Sequence, residues 1–221
     1  MVVLATKIYV QGDAKERALD GLESLVDNEI GELHVEVSIG IRHDDFPTVT
    51  LTGPDAAAAR AVLAEEWGTI TSPLPEGEVV IGTLERWNDD GWYLDAGEPI
   101  HIPPDGLDLG VGSPVQLVER FGLVQHQRLR CVPGETPTLA PETIDRLFDW
   151  RRGHGRVNIN SVTRAEVRST INRAGHADDI VTVERLGLLE HSVVCKPNTD
   201  PPGLLASIGQ YLPGEMRCVI P

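Results

Sequence analysis

Two seams rich in proline and glycine, Ser72-Pro73-Leu74-Pro75-Glu76-Gly77 and Pro133-Gly134-Glu135-Thr136-Pro137, divide the sequence. They leave pieces of about 71, 55 and 84 residues, each near the lower size limit of an autonomous domain. The chain therefore reads as three small units, at 1–72, 77–133 and 138–221.

The outer units share one rhythm. In the first, residues 2–10 are strand-like, and Asp13 is a candidate N-cap. Ala18, Leu22, Leu25, Val26 and Ile30 then fall on one helical face before Gly31. Strands at 34–41 and 48–53, a helix from Pro54–Asp55 to Trp67 and a short strand at 69–71 complete a βαββαβ order. In the third unit a connector helix, 141–152, precedes strand 156–160. A helix then opens with the capping box Thr163-x-x-Glu166. Strands 180–186 and 189–196, helix 202–211 and strand 216–220 follow. Both units read as ferredoxin-like domains.

The middle unit reads as nearly all strand: 78–87, 91–95, 99–102, 114–120 and 123–132, with tight turns at Asp89-Asp90-Gly91 and Gly97-Glu98. Five short strands predict a small Greek-key barrel of OB type, so the whole chain is expected to be α+β. Gly91, Tyr93, Leu94, Asp95 and Gly97, then Ile100-His101, Leu107 and Gly110, carry a resemblance. This stretch resembles the RNA-binding OB domain repeated in the largest small-subunit ribosomal protein of bacteria. The resemblance implies an RNA face lined by Tyr93 and His101, with Trp92 and Trp87 beside it. The order KIYVQGDAKERALDGL, GWYLDAG and RLGLLEHSVVCKPNTDPPGLLASIG also resembles an archaeal, haloarchaeal-type domain-of-unknown-function family of about 220 residues. Physically, stacking bases on aromatic rings tolerates salt, whereas phosphate attraction weakens steeply with it. The opposing reading is that these rings fill the barrel. Alternation places Trp92 and Tyr93 on opposite faces, so at least one is core.

Charge sharpens the picture. Acids number 34 and bases 19, for a net charge of −15, and Lys7, Lys15 and Lys196 are the only lysines. Carboxylate excess with little lysine suits a salt-adapted surface, the alternative being an ordinary acidic protein. In molar salt the Debye length is about 3 Å, so the negative total does not exclude a nucleic-acid partner. The imbalance is −8 over residues 1–75, −6 over 76–133 and −1 over 134–221. Seven arginines crowd between 146 and 173. Of these, Arg151, Arg152, Arg156, Arg164 and Arg168 are the candidate phosphate contacts. Ion pairing with Glu142, Asp145, Asp149 and Glu166 is the competing use.

No HExxH, Walker loop, GxSxG or Cys/His metal spacing occurs, so no enzyme, metal or cofactor is expected. Cys131, Cys195 and Cys218 form no CxxC pair, and no apolar run is long enough for a membrane span. With a strand-like opening in place of a signal peptide, these features predict a cytoplasmic protein. The expected function is non-catalytic RNA binding, linked to ribosomes, translation or RNA processing. A protein-interaction adaptor without RNA contact is the alternative.

Overall fold

The computed structural model describes residues 1–221 as an α+β protein with three antiparallel sheets and seven α-helices. In the first unit β1 (Val2–Val3), α1 (Asp13–Ile30), β2 (Glu36–Ile41), β3 (Pro47–Thr52) and α2 (Ala56–Trp67) follow one another, with sheet order β1-β3-β2. Helix α1 buries Ala18, Leu22, Val26 and Ile30, the face its periodicity announces. Its cap is Gly12 rather than Asp13, whose carboxylate sits in the first turn near the positive end of the helix dipole.

Two strands are shorter than predicted. The stretch 2–10 pairs only at Val2 and Val3, and the strand at 69–71 is reduced to one bridge, Leu4 to Thr69. Residues 4–8 are buried, and the Leu4, Ala5 and Ile8 N–H groups bond to separate carbonyls of the same unit, Pro47, Gly68 and Asp45, while two side chains reach other units. Thr6 Oγ1 accepts the Leu188 N–H at 3.0 Å, and Lys7 Nζ reaches Asp95 at 2.7 Å and Glu85 at 3.1 Å.

The middle unit holds β4 (Val80–Asn88), β5 (Gly91–Asp95), β6 (Pro99–Ile102), α3 (Pro104–Leu107), α4 (Pro114–Phe121), β7 (Arg128–Val132) and β8 (Thr138–Leu139). The predicted strand 114–120 is the helix α4. Ser113 and Gln116 close a capping box, Pro114 takes the first turn, and Leu117, Val118 and Phe121 face inward at helical spacing. The fifth strand is instead β8, beyond the second seam, and the order is β6-β5-β4-β7-β8. Helix α3 lies against both outer strands, so the sheet is barrel-like with a helix across its gap. Its core gathers 19 buried residues, among them Trp92, Phe121 and Trp150.

The connector helix α5 (Pro141–Arg152) forms where predicted but buries Leu147 and Trp150 in the middle core. Beyond it the predicted order of the third unit holds, with β9 (Arg156–Ile159), α6 (Arg164–Arg173), a 3₁₀ turn at Ala177–Asp179, β10 (Ile180–Arg185), β11 (His191–Cys195), α7 (Pro201–Gly209) and β12 (Met216–Val219) in sheet order β10-β11-β9-β12. Thr163 and Glu166 form the capping box. The tip of the β10–β11 hairpin joins the units. Leu186 belongs to the middle core, while Leu188 and Leu189 belong to the core of the first unit.

Candidate nucleic-acid interface

The predicted base-contact residues separate by strand alternation. Trp92 points inward, is 0% exposed and donates its indole N–H to the Pro114 carbonyl at 3.0 Å. It cannot meet a base, which corrects its assignment to the RNA face. Trp87, its cross-strand partner, is half-buried against the same core, with the Arg217 guanidinium 5.4 Å from its ring. Tyr93 points outward. Its neighbours across the strands are Arg86 on β4 and His101 on β6. The Arg86 guanidinium lies 3.6 Å from the Tyr93 ring centre, and the His101 ring stacks at 4.5 Å and 17°. The result is a cation–aromatic–imidazole row ending in two exposed groups, Arg86 and His101. Gly91 permits the row, because a Cβ there would sit 2.1 Å from the Ile102 carbonyl oxygen and 2.9 Å from His101 Nε2.

Most of the predicted phosphate contacts have protein partners. Arg152 pairs with Asp149 at 3.0 Å, and Arg156 with Glu184 at 2.6 Å and Ser192 at 3.1 Å. Arg151 donates to the Ile220 carbonyl, and Arg164 to the Val183 carbonyl at 2.8 Å. Arg168, one turn on from Arg164, lines a cleft beside β10 and has no ion pair. Arg152 makes the competing ion pair with Asp149, whereas the partner of Arg156, Glu184, lies outside the four acids expected.

A different arginine cluster emerges where the three units meet. Arg128 and Arg130 alternate on β7 and so share a face. Thr143 clamps α5 to β7, accepting the Arg130 N–H and donating to the Arg130 carbonyl, both at 3.0 Å. Arg146, one helical turn later, donates to the Arg128 carbonyl at 3.3 Å. Arg185 ends β10. Together with Glu66 these four line a cleft of about 230 Å³. Trp67 is its anchor: Arg128 and Arg185 lie 5.7 and 5.5 Å from that ring, and Arg128 donates to the Trp67 carbonyl at 2.6 Å. None of the four forms an ion pair within 4.0 Å. Loss of hydration, with repulsion from Arg130 and Arg146 against the pull of Glu190, lowers Arg128 to about 10. Arg146 and Arg185 are lowered too, by loss of hydration and then by neighbouring arginines.

Behind Arg128 lies Glu190. Burial raises its carboxyl to about 8, against the hydrogen bond from Tyr9 (2.6 Å) and the charge of Arg128. Tyr9 in turn accepts the Ser161 N–H at 2.9 Å and stacks on His126 at 3.8 Å. The sequence signal for the cleft is the alternation Arg128-Leu129-Arg130. Nothing local announces Arg185.

A separate polar chain joins Ser207 to His176 Nε2 at 2.8 Å and His176 Nδ1 to Asp179 at 2.7 Å. It ties α7 to the 3₁₀ turn.

No curated protein matches the chain. Three family models, described as the N-terminal, central and C-terminal domains of DUF2110, match residues 1–73, 74–151 and 154–220. Between them they span the chain in the order of its three sheets, and the protein belongs to the DUF2110 family.

Proposed function

We propose that this protein is a non-catalytic RNA-binding protein of the cytoplasm, acting on ribosomes, translation or RNA processing. The Arg86–Tyr93–His101 row carries the reading: a base stacks on an exposed end of a row already built from stacked groups. Such contacts survive salt that weakens phosphate attraction. The strand order β6-β5-β4-β7-β8 supports it, being that of an OB barrel read from its third strand with the closing pair unmade. The outer sheets support ferredoxin-like flanks, since in both the third strand lies between the first and second. Phosphates fall to arginines without ion pairs, among them Arg168, Arg130 and Arg146.

Crosslinking to RNA in molar salt, with attached peptides mapped, is expected to mark residues 86–101. Tyr93→Ala and His101→Ala are each expected to weaken single-strand binding about thirtyfold, the middle of the stacking range. Unchanged binding in both variants would remove the reading. A serine-directed fluorophosphonate is expected to leave Ser207 unlabelled, and labelling would overturn the non-catalytic part.

The adaptor alternative draws on one observation. β2 is an unpaired sheet edge bearing Val37, 43% exposed, where a partner strand could add. An RNA-free protein complex of fixed stoichiometry would favour it.

A further inference from the structure

We infer that the cleft formed by Arg128, Arg130, Arg146 and Arg185 is a binding site for a phosphomonoester or pyrophosphate group, seated where the three units meet. The site goes beyond the base-stacking row and does not depend on RNA as its ligand.

Charge is the first ground. A chain of net charge −15 offers acids in excess, yet none lies within ion-pair distance of these four guanidiniums. The lining holds four positive groups and one carboxylate, Glu66, leaving an excess of three. The carboxyl behind them, Glu190, is raised by burial, which weakens it as a counter-charge, and it makes no ion pair with them. Like charges gathered without partners raise the energy of the empty cleft, and an anion relieves it. An excess of three suits a terminal phosphate or pyrophosphate better than a phosphodiester of single charge.

Hydrogen bonding is the second ground. Arg128 Nε–H is buried and has no acceptor in the protein. The adjoining Nη2 is held on the Trp67 carbonyl, which fixes the plane of the guanidinium before any ligand arrives. Planar guanidinium forks held in place match phosphate oxygens two at a time.

Size is the third. Pockets for drug-sized ligands run about 300–1,000 Å³. At about 230 Å³ this cleft accepts a phosphate-bearing end rather than a whole nucleotide. Its walls come from α2, β7, α5 and β10, so an occupant touches all three units and favours their present packing.

Inorganic pyrophosphate, titrated in molar salt, tests the site through the melting temperature and by calorimetry. The wild type is expected to gain stability, with sulfate at equal concentration giving a smaller gain. Arg130→Gln and Arg146→Gln should melt, without ligand, at the same temperature or higher, because repulsion is relieved. Each should bind pyrophosphate about tenfold more weakly, the equivalent of one lost charge-assisted hydrogen bond. No response in the wild type, an undiminished response in both variants, or equal responses to sulfate would overturn the inference. Competition by a 5′-phosphorylated oligonucleotide but not its 5′-hydroxyl twin identifies a strand end, and competition by a nucleoside triphosphate alone identifies a free nucleotide. Either supports the site. Tyr93→Ala with an intact pyrophosphate response separates failure of the stacking row from failure of the cleft.

Discussion

Replacing Trp92 by alanine is expected to lower folding stability by about 3–5 kcal/mol, the usual cost of deleting a large buried aromatic. The ring lies in the middle core with Leu94, Ile102, Leu117 and Phe121. Its N–H also holds the start of α4 through the Pro114 carbonyl, which the substitution leaves without that donor. Urea denaturation in molar salt measures the effect, with Tyr93→Ala as the contrasting surface variant. A loss below about 1 kcal/mol would mean that the core does not close around this ring. The pair also guards the functional test, since W92A would lose RNA binding through unfolding and Y93A through contact.

Stability is expected to fall on both sides of a plateau between about pH 4.5 and 6.5. Glu190 moves from an ordinary 4.5 to about 8, so between those values the folded protein keeps a proton that the unfolded chain releases. Its contribution is complete below pH 4.5 and declines as pH rises to 8. His191 moves the other way, from 6.5 to about 3: burial removes its charge, with Arg185 and Arg164 adding to the effect against the Val162 carbonyl. Its contribution declines as pH falls from 6.5 to 3. The two slopes cancel from 4.5 to 6.5 and are unopposed outside it. From pH 6.5 to 8 the Glu190 term alone removes about 2 kcal/mol. Below 4.5 a third group joins His191. Burial works against Glu85, but His126, Thr83 and Lys7 bring it down to about 2, so its contribution is also lost in acid. Glu190→Gln is expected to abolish the decline above pH 6.5 and to expose the His191 slope below it. Denaturant midpoints at pH 5.5, 6.5 and 8 decide the matter, and a wild type equally stable at pH 6.5 and 8 would refute it.

Local periodicity was a reliable guide wherever an element buries one face. The face of α1 follows from its spacing, and that of α6 from its spacing and capping box. It misled at 114–121. Val115-Gln116-Leu117-Val118 carries two β-branched valines and partly alternates, as a strand would, but Ser113, Pro114 and Gln116 form a helix start, and the cap prevails. It failed again at 2–10 and 69–71, because the Leu4, Ala5 and Ile8 N–H groups go to three separate carbonyls of the same unit, Pro47, Gly68 and Asp45, rather than to one continuous partner strand.

The candidate sites divide in the same way. Tyr93 and His101 came from the resemblance to the ribosomal domain; period-two alternation separated Trp92 from Tyr93 but left open which of them faces outward, which the structure decides. The density of arginines between 146 and 173 was visible too. Which of them are free was not, since Glu184 and the Ile220 carbonyl reach Arg156 and Arg151 from elsewhere in the sequence.

The amino-acid order alone therefore determined the α+β character, most of the helices and strands, and the placing of Trp92 and Tyr93 on opposite faces, because each depends on neighbours within a turn or a strand. Only the tertiary structure decided that Arg185 meets Arg128, Arg130 and Arg146 over Trp67. Like charges are brought together there by the burial of Leu186, Leu188 and Leu189, apolar contacts distant in sequence that hold the guanidiniums side by side against their mutual repulsion.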